Sequence, residues 1–402
     1  MRRIALIVAV LLANPARAAP DKALLDAAGA QVSQLTATLE QLVNIETGSG
    51  DAEGLAAAAN YLGARFAALG ANVERIKPLP GTVGDILVAR MAGTGRGNLL
   101  LIGHMDTVYQ RGALARAPFR LEGARAYGPG IADDKGGLAV ILHALALLGP
   151  RDFKTLTIAI NPDEETGSKG SGAIITELAR GKDAVLSFEP TGIAETFLRG
   201  TSGTNTVIVT ITGKSAHAGV SPEQGINALV EAAEVIRKTK DLDLGPGKQR
   251  FNWTVINQQR PARNIIPDSV VLSGDLRTAS VTDIDAFRSE IAKRLALPTL
   301  AGAQVSVEVR VNRPPFTATS AGNLLIDRAR AIYADLGAAI EVKDRWGGGT
   351  DAGYAALAGV PVIEALGLPG YGYHTGDAEY VSLDAVPRRL YLTAELIRQI
   401  GR

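Results

Sequence analysis

The chain has 402 residues, 46% of them hydrophobic, which is enough for one large core or two domains. Its 42 basic and 41 acidic residues leave a formal charge of +1, so no one-signed field recommends nucleic acid or an anionic membrane as a partner. There is no cysteine, which excludes disulfides, thiolate metal sites and thiol nucleophiles and leaves His, Asp and Glu to hold any metal.

The opening stretch MRRIALIVAVLLANPARAAP combines Arg2 and Arg3, an apolar run from Ile4 to Ala13, and a small-residue ARA at 16–18. This is the pattern of a secretory signal peptide over residues 1–18, cleaved after Ala18. The run is too short to span a bilayer, and no later run reaches the about 18 apolar residues a span requires. We therefore expect a periplasmic or secreted protein with no membrane partner.

Strand-like apolar runs then alternate with helical patterns, as a parallel α/β sheet requires. NLLLIG (98–103) runs into His104 and Asp106; TLTIAI (155–160) into Asp163, Glu164 and Glu165; AVLSF (184–188) into Glu189; VPVIEALG (360–367) precedes GYGYHTGD, which holds His374. Between the first two, a glycine-rich turn carries Asp133 and Asp134 ahead of a helix that begins near Lys135 and contains His143. Asp134 reads as a helix cap and His143 as a helix residue without chemistry. Ligands of open α/β sheets bind beyond the carboxyl ends of the strands, so two of the chain's four histidines converge there with several carboxylates. Such a set suits two divalent ions sharing a carboxylate, with Asp106 fixing the His104 tautomer. In an extended segment neighbours point to opposite sides, so Glu164 and Glu165 can divide the work: one on metal, one facing a reacting water.

From 201 to 313 the order changes to strand, helix, strand, strand, helix, strand, the βαββαβ of a ferredoxin-like module. It interrupts the metal-bearing α/β domain, whose segments are then 19–200 and 314–402 around an inserted module at 201–313.

The segments GHMDTVY, GPGIADDKGG, NPDEETGSKGS, SFEPT, GKSAHAG, RNIIP, GGGTDAGYAAL and GLPGYGYHTGDAEYV resemble the two-zinc aminoacylase and carboxypeptidase family, most closely its bacterial periplasmic, folate-hydrolysing glutamate carboxypeptidases. The resemblance implies that Asp133 bridges two Zn²⁺ ions per subunit, His104 and Glu189 complete one site, and Glu165 and His374 the other. It implies that Glu164 is the general base in amide hydrolysis. It further implies that 19–200 and 314–402 form the catalytic domain and that the module at 201–313 is a lid through which a homodimer joins, His217 reaching the partner's active site, and Asn264, Arg277 and Arg313 holding a substrate with a C-terminal carboxylate. Against that pattern, Thr196 stands where a lysine is expected and Trp346 where a threonine is, unless Arg199 substitutes for the lost cation. We therefore expect a weakened preference for C-terminal glutamate.

Competing readings are an aminoacylase or dipeptidase of the same family and a periplasmic solute-binding protein with a structural ion. A binding protein has no use for a free carboxylate beside a metal ligand, which weighs against the latter. A serine hydrolase fits poorly, because GTSGT (200–204) lacks the second glycine of a nucleophile elbow.

Overall fold

The computed structural model describes residues 19–245, 248–258 and 261–402; the expected signal peptide lies outside them. Ten strands build the two main sheets: β1 (Asn72–Ile76), β2 (Ile86–Ala92), β3 (Asn98–His104), β4 (Thr155–Asn161), β5 (Ala184–Ser187), β6 (Gly203–Thr212), β7 (Arg250–Gln258), β8 (Ser269–Thr278), β9 (Gln304–Arg313) and β10 (Val362–Ile363).

The larger sheet has the order β1-β2-β4-β3-β5-β10. Strands β4, β3, β5 and β10 run parallel, in a register that sets His104 opposite Asn161 and Ile102 opposite Ser187. Their carboxyl ends therefore lie along one edge, and the loops beyond them all start from it. The sheet is mixed, not wholly parallel, because β2 runs antiparallel to both its neighbours. Only five residues (93–97) separate β2 from β3, far fewer than the dozen or so that a parallel crossover needs.

Alternation along β3 explains why the sheet is buried on both faces. Leu99 and Leu101 join a core with helices Val32–Val43, Ala52–Ala68, Gly136–Leu147 and Val386–Gly401, whereas Leu100 and Ile102 face Gly172–Ala179 and Ala352–Ala356. Truncating any one of these leucines to alanine costs about 2–5 kcal/mol.

The second sheet has the order β7-β8-β6-β9, antiparallel throughout, with helices Ala228–Thr239 and Val281–Leu295 on one face. It is the inserted ferredoxin-like lid. Val207, Val209 and Ile211 of β6 face those helices with their own small core; Thr204, Thr206 and Thr210 alternate onto the open face. A capping box between Ser280 and Asp283 starts the second helix. The chain leaves β5 for the lid and returns from β9 to complete the first sheet with β10, so β5 and β10 pair across the whole insertion.

Candidate active site

His104 ends β3 fully buried, and its ring is fixed from both sides. Nδ1 lies 3.0 Å from the backbone carbonyl of Asp106, and with its hydrogen donated there Nε2 is the atom left to bind an ion. Nε2 is 3.0 Å from Asp133 Oδ1 and 3.9 Å from Glu189 Oε1. The other carboxylate oxygen of Asp133 lies 3.5 Å from His374 Nε2, which is 3.4 Å from Glu165 Oε2. Two clusters result, His104–Asp133–Glu189 and Asp133–Glu165–His374, in each of which the ligand atoms fall within 4.8 Å of one another. Asp133 belongs to both.

The donor set is all nitrogen and carboxylate oxygen, as zinc and similar divalent ions accept. Glu165 Oε1 is buried with no hydrogen-bond partner among the described residues, an arrangement that a cation would relieve. Asp133 is held below the usual carboxylate range: burial opposes this, but His104 and His374 together prevail. His374 is pushed up to about 10, by Asp133 first and then Glu165. Both imidazoles thus face concentrated negative charge.

Asp106 meets the His104 ring twice, through its backbone carbonyl at 3.0 Å and its carboxylate at 3.4 Å, both from Nδ1. The carboxylate has further partners. Its Oδ1 accepts from Glu164 N at 2.9 Å and its Oδ2 from Glu165 N at 3.1 Å and Ser49 Oγ at 2.7 Å. It therefore fixes the turn that carries both glutamates. That turn is a 3₁₀ helix, Glu164–Thr166, not an extended segment, and the two side chains still part: Glu165 to His374, Glu164 to Arg313 at 2.6 Å. Burial pushes Glu164 up to about 8 against the pull of Arg313. Arg313, itself buried, also donates to the carbonyls of Glu164 and Gly349.

Asp134 does not cap the helix beside it. It turns inward, and its Oδ2 accepts from His104 N at 3.3 Å, joining the Asp133 turn to the end of β3. Gly137 is needed beside it, since a Cβ there would stand 2.2 Å from Asp134 Oδ1. His143 carries no site chemistry: it is a buried helix residue between Thr38 Oγ1 (2.8 Å) and Gln31 Oε1 (2.7 Å).

Glu379 was not singled out from the sequence. Buried, it accepts from Ala132 N (2.9 Å), Asp133 N (3.1 Å), Gly130 N (3.2 Å) and Tyr109 Oη (2.5 Å), and Tyr109 Oη in turn accepts from Gly376 N (3.2 Å). One carboxylate and one phenol thereby tie together the segments bearing His104, Asp133 and His374. Its only sequence signal was an acidic residue five positions after His374.

The cleft over the clusters, about 500 Å³, is lined on the lid side by Thr204, Thr206, Asp275, Arg277, Asn312 and Arg313. Arg277 is paired bidentately with Asp275, at 2.8 and 2.9 Å. Trp346 also lines the cleft, its ring lying so close to Gly348 that a Cβ there would stand 2.6 Å from it. Thr196 does not line it: it is fully buried in a short strand paired with Glu341–Lys343, and Arg199 is taken by Asp344 and Asn323. His217 and Asn264 are exposed, away from the cleft of their own chain; His217 pairs with Ile265 in a two-residue ladder, and Ala218 N donates to the Asn264 carbonyl just beyond it at 2.9 Å. His217 Nδ1 accepts from the backbone of Gly219 and Val220 at 3.2 Å each, which leaves Nε2 as its other polar atom.

Strand-end ligands, a carboxylate shared by two clusters and a glutamate beside them define an α/β metallohydrolase with an inserted lid. The profile described as "Peptidase family M20/M25/M40" matches residues 100–399, and the chain belongs to that family. It is 51% identical over 385 residues to Carboxypeptidase G2 of Pseudomonas sp. (strain RS-16), covering 95% of this chain and 92% of that one. It is 35% identical over 204 residues to an acetylornithine deacetylase of Salmonella arizonae, covering 50% of this chain and 52% of that one. The fold is shared with aminopeptidase PepT of Bacillus cereus, with a TM-score of 0.78 at 21% identity over 92% of this chain and 99% of that one.

Proposed function

We propose that this protein is a zinc-dependent carboxypeptidase of the glutamate carboxypeptidase type, hydrolysing the amide bond to a C-terminal amino acid. The observation that carries the reading is the position of Asp133, shared by two imidazole–carboxylate clusters, with Glu164 beside them on the turn that bears Glu165. His104, Asp133 and Glu189 would hold one Zn²⁺, and Asp133, Glu165 and His374 the other. Bound there, the ions supply the acidity that activates a water and the charge that polarises an amide carbonyl. Glu164 takes the proton of the attacking water and delivers it to the departing amine nitrogen. Asp106 holds the base and its neighbour in place through their backbone N–H groups. Arg277 and Arg313 orient the substrate from the lid side, and His217 and Asn264 complete the site of a partner subunit in a homodimer. The catalytic segments are 19–200 and 314–402, the lid is 201–313, and the leader at 1–18 directs export.

A deacylase acting on N-acyl amino acids is the second reading, favoured by the partial match to acetylornithine deacetylase. One experiment separates the two: metal content of the purified protein, with kcat/KM for a matched series of N-acyl amino acids and N-blocked dipeptides. Two zincs per chain and turnover of the dipeptides support the carboxypeptidase. Turnover of simple acyl groups alone supports the deacylase, and absence of metal-dependent turnover throughout rejects both. Among the described residues Trp346 is the one large apolar side chain lining the cleft, and aromatic surfaces favour apolar partners. Within the series the preference for C-terminal glutamate over phenylalanine is therefore expected below about 10³-fold, equivalent to ~4 kcal/mol in transition-state binding.

A further inference from the structure

The cleft continues past the metal-binding clusters. Lys169, Thr206 and Asn312 line both the cleft and a second cavity of about 650 Å³ that runs along β9 past Glu308 and Arg310. The arginines along this path meet the cleft as halves of ion pairs: Arg277 with Asp275 at 2.8 and 2.9 Å, Arg310 with Glu308 at 2.6 and 2.8 Å, Arg313 with Glu164 at 2.6 Å. Lys169 is different. It is exposed at the junction of the two cavities and has no hydrogen bond or ion pair among the described residues.

Its backbone, by contrast, is pinned on both sides. Ser168, at φ 51°, gives its N–H to Asp163 O at 2.8 Å and its hydroxyl to Asp351. Gly170 donates to Asp163 Oδ2 at 2.8 Å and accepts from Leu79 N at 3.0 Å. Gly170 has no room for a side chain, since a Cβ would stand 2.2 Å from Thr82 Oγ1. A rigid main chain thus presents a flexible, uncommitted ammonium to the cleft, on the same loop as Glu164 and Glu165.

We propose that Lys169 is a specificity-determining residue, its ammonium receiving a carboxylate of the substrate where the metal-side cavity opens into the second one. This rests on the amide-hydrolase reading above. A lysine acts as a mobile point charge and needs no fixed fork geometry, so it suits a group on an extended, flexible part of a substrate. That carboxylate belongs either to the released amino acid or to the acyl portion.

Two matched pairs distinguish these sources: N-succinyl against N-butanoyl substrates with one C-terminal residue, and C-terminal glutamate against glutamine with one acyl group. In Lys169→Met, KM is expected to rise about tenfold for the anionic member of one pair, with kcat and the neutral member little changed; charge-assisted hydrogen bonds have that scale. Lys169→Arg should restore the preference and Lys169→Glu should reverse it. An equal rise for every substrate, restored by Lys169→Arg, assigns the main-chain carboxylate. Unchanged KM throughout, or a loss that Lys169→Arg does not restore, overturns the role of Lys169. If wild-type protein turns over no member of either pair, the amide-hydrolase reading fails and this proposal with it.

Discussion

Adjacent glutamates with different partners are the centre of the site at the residue scale. Glu165 faces His374 and Asp133, whereas Glu164 faces Arg313. Replacing Glu164 by Gln keeps the shape and removes the proposed base, so Glu164→Gln should retain both metals while turnover falls roughly 10²- to 10⁴-fold. Wild-type turnover in that variant would exclude Glu164 from proton transfer. Asp133→Ala removes the carboxylate common to both clusters, and metal analysis should find less than one ion per chain; two retained zincs would refute the bridge. Their positions were legible, Glu164 on a loop where a buried strand runs into three acids and Asp133 in a glycine-rich turn before a helix, whereas their separate roles rested on the family resemblance. The actual contacts of Asp106, Arg313 and Asp134 were not legible. The Glu164–Arg313 contact spans 149 positions, and the inward turn of Asp134 depends on how the loop lies against β3. Thr196 misled for a related reason: proximity in sequence to the GTSG stretch says nothing of which face of a short strand meets the cleft.

Elements carry the site by being tied to one another. The parallel strands and the βαββαβ order could be read from apolar periodicity, since a period of two and a period near 3.6 separate cleanly over ten residues. Of the β1–β2 pair, β1 escaped because it lies at the sheet's edge, partly exposed and without a buried run; β2 is buried, but its apolar run is short, broken by the exposed Arg90. Glu379 escaped for lack of any local pattern: its partners lie about 250 and 270 positions away. In Glu379→Gln one oxygen acceptor becomes an N–H₂ donor aimed at backbone N–H groups or at Tyr109. Metal affinity, read by titrating the metal-free protein with Co²⁺ and monitoring its visible absorption, should weaken about 10- to 100-fold. Unchanged affinity would reduce Glu379 to packing. The helix Gly136–Leu147 offers a separate test. Burial first, and Arg65 second, hold His143 down to about 4. A depressed histidine is neutral when folded, so its contribution is present above the unfolded value near 6.5 and is lost as pH falls from there toward 4. The loss should reach about 3 kcal/mol at full protonation. NMR titration of the ring should give a midpoint below 5; a midpoint near 6.5 would contradict it.

At the scale of the whole molecule, the lid is a separate small core that holds His217 and Asn264 outside the cleft of their own chain. If they serve a partner's site, two inactive proteins can repair each other. Mixing His217→Ala with Glu164→Gln under subunit exchange should restore activity, because one site of each mixed dimer then has its own Glu164 and the partner's His217. Exchange proven by mass spectrometry without any recovered turnover would show that His217 acts within its own chain or not at all.

The insertion of the lid between β5 and β10 also bears on how the molecule comes into being. A chain emerging from the ribosome acquires His104, Asp133 and Glu189 early, and the first cluster draws no ligand from later in the chain. The second cluster waits for His374, and the clamp on the Asp133 loop waits for Glu379, later still. Slow, long-range closure of this kind leaves a nascent chain with one metal pocket and an unguarded sheet edge at β5. The second pocket is thus the last to close: a chain stopped anywhere before His374 can hold Glu164, Asp133 and the whole inserted sheet and still lack the second cluster.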